Sequence, residues 1–230
     1  MIDLGESSQV ASIIDQTLLK PDIGHIAYED FIQRNASMGF HTLFVPPSYL
    51  TLMVRLLSKS KTLAGAIVGF PYGWESRKEK IYSLNQALAV GADEVDFVIN
   101  ISKLKSSDYV YIKEELEALR EESLKFKNKF GRKIILKCII ECCLLEDHEK
   151  VKAVELLVAE RIDYVKTSTG TSKWGAKVED VRLLSETGGK FIKVKASGGI
   201  RTLDDPKAMV EAGASRIGTS SGLQLIGSPG

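Results

Sequence analysis

Three times along this chain a helix-forming stretch ends on glycine and gives way to a short apolar run: Ser-Met-Gly-Phe at 37–40, Ala-Val-Gly-Ala at 89–92 and Glu-Ala-Gly-Ala at 211–214. Glycine takes the left-handed conformation at a helix exit without steric penalty, so each motif marks a helix-to-strand junction. Extended along the chain, the alternation predicts a short leading helix over 6–12 and strands over 13–19, 42–45, 63–70, 94–100, 133–141, 164–169, 191–197 and 216–220. Helices are predicted over 27–38, 48–59, 76–90, 109–128, 147–159, 177–187 and 204–212. The long helix carries Ile112, Leu116, Leu119 and Phe126 at helical spacing. Strands this apolar are covered on both faces, which argues for a parallel sheet. About eight strand–helix units in 230 residues fit an α/β fold with one closed (β/α)₈ TIM barrel over 1–230. An open doubly wound sheet is the structural alternative. The last piece, Leu223–Ile226, is too short for a full eighth helix.

Two of the predicted strands contain lysines, in Asp163-Tyr-Val-Lys-Thr-Ser-Thr-Gly170 and Phe191-Ile-Lys-Val-Lys-Ala-Ser-Gly-Gly-Ile-Arg201. Burying an unpaired ammonium is costly, so lysines here suggest chemistry. Alternate residues of a strand share a face. If the charged faces point inward, the barrel interior holds Asp15, Asp96, Lys137, Glu141, Lys166, Lys193 and Lys195. Neutralising salt bridges are the plain reading, and a credible one for Lys137 with Glu141 or Lys193. So many buried charges together point instead to function, because buried ion pairs contribute little to stability.

Lysine is almost wholly protonated at neutral pH. A second ammonium about 4 Å away opposes charging by up to about 4 kcal/mol at an effective dielectric near 20. That lowers proton affinity by roughly three orders of magnitude, and desolvation acts the same way. One lysine is then free to attack a carbonyl while the other stays cationic, with Asp96 exchanging protons with the intermediates. Lysine, acid and second lysine on three strands suit Schiff-base chemistry on an aldehyde or ketone. An anion site accompanies them: Ser197-Gly-Gly-Ile-Arg201 and Gly218-Thr-Ser-Ser-Gly222 follow the last two strands, where barrels often hold phosphate, and Thr169-Gly-Thr171 adds a third side.

Six stretches in order carry a family resemblance: Ile14–Pro21, Val68–Pro71, Gly91–Asp96, Val165–Gly170, Val194–Arg201 and Arg216–Ser221. With these the chain resembles the deoxyribose-phosphate aldolases, a class I family, across nearly its whole length. The resemblance implies reversible cleavage of 2-deoxy-D-ribose 5-phosphate to D-glyceraldehyde 3-phosphate and acetaldehyde, without metal or organic cofactor. It implies that Lys166 forms the Schiff base, Lys195 perturbs it, Asp96 is proton donor and acceptor, and Asp15 supports the second lysine in a relay. It implies a phosphate site at Gly170, Thr171, Gly198, Gly199, Arg201, Gly218, Ser220 and Ser221.

Some positions depart from the family pattern. Gln16 stands where a histidine is common, and Phe44 stands where many relatives carry a cysteine. Thr171 and Lys173-Trp174 replace the usual residues after the Thr-Ser-Thr-Gly block, with Lys173 a candidate substitute cation. The tail Gly-Ser-Pro-Gly has no tyrosine for a tail-borne proton relay.

The partners expected are a phospho-sugar and an aldehyde, and a homodimer or homotetramer. A net charge of +1 gives no pointer to nucleic acid or an anionic membrane. The acidic start and the lack of a long apolar run imply no signal peptide and no membrane span. Cys138, Cys142 and Cys143 form an odd, clustered set and His25, His41 and His148 are scattered, so reduced thiols in a cytoplasmic protein are expected rather than a metal site. Two rival functions are a Schiff-base enzyme for another phospho-sugar, such as a transaldolase, and a non-catalytic phospho-sugar binder.

Overall fold

The computed structural model describes residues 7–227. Helix α1 (Ser7–Ser12) leads into β1 (Ile14–Thr17), followed by β2 (Thr42–Phe44), β3 (Leu63–Val68), β4 (Glu94–Val98), β5 (Ile135–Ile139), β6 (Tyr164–Lys166), β7 (Lys193–Ser197) and β8 (Ala214–Thr219). Between and after them run α2 (His25–Asn35), α3 (Leu50–Leu56), α4 (Arg77–Val90), α5 (Ile101–Lys105), α6 (Tyr109–Leu124), α7 (Asp147–Ala159), α8 (Val178–Gly188), α9 (Asp204–Glu211) and α10 (Gly222–Leu225). Each strand pairs in parallel with its neighbour in sequence, and β8 closes on β1. The closed (β/α)₈ barrel is therefore as expected, and the open sheet is excluded. Glu6, predicted to begin the leading helix, and the tyrosine-free tail beyond Gly227 lie outside the described residues.

The glycine exits do what their positions require. Gly39, Gly91 and Gly213 all have positive φ, at 77°, 110° and 111°. Gly91 caps α4 in the left-handed conformation, and Ser76 and Glu79 form a capping box at the other end of that helix. Several strands are shorter than predicted at their C-terminal ends: β3 stops at Val68, β4 at Val98, β5 at Ile139 and β6 at Lys166. Buried residues continue past the ends of β4, β5 and β6, at Ile99, Ile140 and Thr167, so burial alone does not mark where the ladder stops. Helix α5 is an unpredicted element, started by the Asn100 side chain, which accepts from the Lys103 N–H.

The apolar core lies between sheet and helices. Val95, Phe97, Leu136, Cys138, Val165 and Ile217 of the strands pack in it with Ile32, Leu84, Leu116, Val154 and Leu184 of the helices. The barrel's inside is different: where branched aliphatics usually fill it, this one carries charge. One aromatic supports that interior. Phe44 is buried, and a Cβ at Gly65 on the next strand would lie 2.4–2.7 Å from three of its ring atoms. Gly65→Ala should therefore destabilise the protein by about 1–3 kcal/mol through overpacking. The check is a lower denaturant midpoint at unchanged m-value; an unchanged midpoint would mean that the ring moves freely.

Candidate active site

Strand alternation sends Asp15 from β1, Glu94 and Asp96 from β4, Lys137 from β5, Lys166 from β6, Lys195 from β7 and Arg216 from β8 into one cluster, all buried. Lys166 and Lys195 both donate to the same oxygen, Asp96 Oδ2, at 2.8 and 2.7 Å. Lys195 also pairs with Asp15 Oδ2 at 2.5 Å. Lys137 donates to Asp96 Oδ1 at 3.0 Å and pairs with Glu94 at 2.6 Å. Arg216 donates to Asp15 Oδ1 at 2.8 Å and to Glu94 at 3.1 Å. Four cations thus face three carboxylates, and the loss of one lysine proton makes the cluster neutral.

The environment singles out where that proton leaves most easily. Burial brings the Lys195 pKa down to about 8, against the pull of Asp15 and Asp96, with Lys166 and Lys137 adding to the lowering. Burial also opposes charge on Lys137, but Asp96, Glu94 and Asp15 outweigh it and hold its pKa above the ordinary lysine value. Against the same cost of burial, Lys137, Lys166 and Lys195 keep the Asp96 carboxyl well below the usual carboxylate range. Asp15 is held low likewise, by Lys195 and Arg216.

The structure corrects several placements. Lys193 is not in the cluster: it is exposed at the start of β7, with its ammonium 5.6 Å from the centre of the Tyr164 ring. β7 pairs with β6 in unbroken register, Tyr164 with Lys193 and Lys166 with Lys195, so Lys193 keeps the alternation but stands nearer the strand start and reaches the N-terminal mouth of the barrel, not the cluster. Glu141 also leaves the interior. It lies past the end of β5 with φ 53° and accepts from the Thr169 N–H and hydroxyl, which makes it a support for the loop after β6. Lys137 therefore pairs with neither of the partners first expected.

Glu94 and Arg216 were missed. Each stands two residues from a residue singled out, Asp96 and Gly218, and the two-residue strand period carried along the whole strand finds both. Phe44 is the third omission. Its ring centre lies 4.3 Å from the Lys195 ammonium and 5.0 Å from that of Lys137, so it favours their charged forms.

The C-terminal ends of the strands surround a cavity of about 260 Å³ lined by Lys20, Lys166, Thr169, Gly170, Thr171, Gly198, Gly199, Arg201, Gly218 and Ser220. Seven of the eight expected phosphate residues line it; Ser221 does not, and its N–H is bound to the Thr219 hydroxyl. No protein acceptor takes the N–H of Gly170 or Gly199 among the described residues. The Arg201 N–H is already given to Asp205, which leaves only its exposed side chain for an anion. Lys173 is exposed and does not line the cavity, whereas Lys20 does.

Gly218 has a second task, because a Cβ there would meet the Lys195 side chain at 3.1 Å and Ser197 at 2.8 Å. Gly175 and Gly198 touch through backbone, so neither admits a side chain without moving the loop. Gln16 ties β1 to this rim by accepting from the Gly222 N–H at 3.0 Å.

Asp15, His41 and Glu94 offer three metal-ligating atoms within 4.8 Å of one another. The Arg216 guanidinium sits between them, 2.8 Å from Asp15, 2.8 Å from His41 and 3.1 Å from Glu94, so a cation already neutralises that group.

Known proteins match the chain along almost all its length. Residues 10–226 match the family model described as DeoC/LacD family aldolase. A deoxyribose-phosphate aldolase of Clostridium botulinum (strain Langeland) is 43% identical over 218 residues, covering 95% of this chain and 99% of its own. One from Thermoanaerobacter sp. (strain X514) is 41% identical over 217 residues, covering 94% and 95%. Among solved structures, the tetrameric deoxyribose phosphate aldolase from Aeropyrum pernix superposes with a TM-score of 0.87 at 28% identity, covering 97% of this chain and 92% of that one. A barrel holding paired lysines on one aspartate, matched this fully in sequence and shape, belongs to the DeoC/LacD family of aldolases.

Proposed function

We propose that this aldolase reversibly cleaves 2-deoxy-D-ribose 5-phosphate to D-glyceraldehyde 3-phosphate and acetaldehyde through a Schiff base on Lys166. One observation carries the assignment: Lys166 is the one lysine of the buried cluster that also lines the glycine-rich cavity. Lys195, with its lowered pKa, lies 1% exposed beneath it. The pair works as one device. Asp96 Oδ2 lies within hydrogen-bond distance of both nitrogens, so neutral Lys195 takes the Lys166 proton through that carboxylate as the substrate carbonyl is attacked.

The amine adds to C1 of the open-chain sugar, and loss of water gives the imine. The protonated imine draws electrons as the C2–C3 bond breaks, and the C3 hydroxyl proton leaves to a base. Glyceraldehyde 3-phosphate departs, and protonation of the enamine followed by water releases acetaldehyde and the amine. Asp96, beside Lys166, is the donor and acceptor for these transfers. Asp15, held by Arg216 through its other oxygen, keeps Lys195 in place and relays protons to it. The N–H groups of Gly170 and Gly199, with Lys20, Arg201, Thr171, Gly198, Gly218 and Ser220, surround the 5-phosphate, and Ser221 fixes the loop by its N–H bond to the Thr219 hydroxyl.

In this reading the whole chain, 1–230, is one domain that works as a homo-oligomer, as the tetrameric Aeropyrum pernix relative does. It acts in the cytoplasm, where its three free cysteines stay reduced. Among the described residues no helix is long and apolar enough to cross a membrane.

Incubation with acetaldehyde and borohydride tests the chemistry, with the adduct located by peptide mass. One adduct is expected, on Lys166. No adduct would exclude a Schiff-base enzyme and favour a phospho-sugar binder, and an adduct on Lys195 would reverse the two roles. Turnover of deoxyribose 5-phosphate against that of fructose 1,6-bisphosphate and transaldolase substrates then fixes the sugar.

A further inference from the structure

We propose that the N-terminal mouth of the barrel, opposite the amine cavity, is a second ligand site that takes a small phosphate-bearing anion. The residues around it stand at strand starts: His41 before β2, Leu63, Glu94, Ile135, Tyr164, Lys193 and Arg216. They enclose a cavity of about 650 Å³, within the size range of small-molecule sites.

Its charge is what selects the ligand. Lys61, Arg132 and Lys193 line the cavity and are exposed, and no carboxylate pairs with any of them among the described residues. Lys133, the fourth basic residue of the rim, is held by Asp163. Glu94 is the one acid lining the cavity, and its Oε2 is taken by Lys137 and Arg216. The buried Arg216 closes the floor beside His41, with its Nη2 3.1 Å from His41 Nε2.

Three cations facing one concavity without counter-charge repel one another, and a polyanion relieves that repulsion. The whole chain carries only +1, so this is a local concentration of charge and not a generally basic surface. Arg132 supplies a planar fork and the two lysines point charges, a set suited to the spread oxygens of a phosphoryl group more than to a single carboxylate. The ligand would not compete with the sugar, because the buried ion cluster separates the two ends of the barrel.

Calorimetric titration with inorganic pyrophosphate at fixed ionic strength tests this. Three variants accompany the wild type: Lys61→Gln/Arg132→Gln/Lys193→Gln; Lys20→Gln/Arg201→Gln, which strips the other mouth; and Lys78→Gln/Lys113→Gln/Lys207→Gln, which removes three exposed charges elsewhere. The first variant is expected to bind one pyrophosphate fewer per chain, or to bind it at least about tenfold more weakly, as loss of several charge-assisted contacts requires. Its three residues are exposed and outside the amine site, so its turnover without pyrophosphate should match the wild type. The second and third variants should retain the site. Equal binding by the first variant and the wild type would overturn the proposal, and so would an equal loss in the charge-matched third variant, which would reduce the effect to bulk electrostatics.

Discussion

Lys166→Met is expected to lower turnover of deoxyribose 5-phosphate by at least about 10⁴-fold, the scale on which loss of a covalent nucleophile acts. The protein should meanwhile stay folded. The substitution keeps most of the side-chain volume, and it removes the one cation by which the cluster of Lys137, Lys166, Lys195 and Arg216 exceeds Asp15, Glu94 and Asp96. Deleting one partner of a buried ion pair usually destabilises, because a charge is left unmatched. Here Asp96 still receives Lys195 at 2.7 Å and Lys137 at 3.0 Å, so no carboxylate is stranded. Thermal unfolding should show a midpoint at or above that of the wild type.

Lys195→Met tests the proposed division between nucleophile and perturbing partner. It too leaves a neutral cluster, but one from which a further proton can leave only by putting a net negative charge among the buried acids. Borohydride trapping of acetaldehyde should therefore slow while the adduct remains on Lys166. Trapping at full rate in Lys195→Met, or an adduct on Lys195 in Lys166→Met, would undo the division of roles.

Much of this was legible in the sequence, for physical reasons. The glycine exits at Gly39, Gly91 and Gly213 report backbone conformation directly, and alternating apolar segments report the barrel. Lys166, Lys195, Asp96 and Asp15 stood out because a charge inside an apolar strand has no cheap explanation. What escaped depended on more than one strand. Lys193 shares the Lys195 face, and only the closed barrel shows that two residues along β7 separate the buried cluster from the N-terminal mouth. Glu141 follows the same alternation until the backbone turns at φ 53°. Phe44 reads as ordinary core from its own segment; only closure of the barrel puts its ring against Lys195, in room that Gly65 leaves.

The electrostatics escaped most completely. The sequence suggests that two lysines lower each other's proton affinity, but the count of four cations against three acids needs Glu94 and Arg216 in place.

Asp96→Asn should split the chemistry in two. The side chain keeps its shape and one acceptor oxygen but loses the charge that Lys137, Lys166 and Lys195 share. Four cations then face two carboxylates. The surplus favours loss of a lysine proton, so the Lys195 pKa should fall below its wild-type value of about 8. Amine is then more available at pH 7, so trapping of acetaldehyde on Lys166 should persist, but more slowly than in the wild type, because the carboxylate that serves addition and dehydration is gone. Turnover should nonetheless fall by about 10²–10⁴-fold if, as proposed, Asp96 moves protons during bond cleavage and enamine protonation.

Stability should shift with pH in a defined direction. In the wild type Lys195 binds its proton less tightly folded than unfolded, so its cost to stability is greatest below about pH 8 and fades as pH rises toward the ordinary lysine value of 10.5. In Asp96→Asn the lower folded pKa starts that fading at a lower pH. The destabilisation, about 3–5 kcal/mol if the surplus charge stayed in place, should therefore shrink as pH is raised from 6 to 8. Denaturant melts across that range, beside trapping and turnover at each pH, test the whole scheme. Turnover within tenfold of wild type would remove Asp96 from the proton path. Loss of trapping together with turnover would show that Asp96 is needed to free the Lys166 amine and not only to serve the steps that follow.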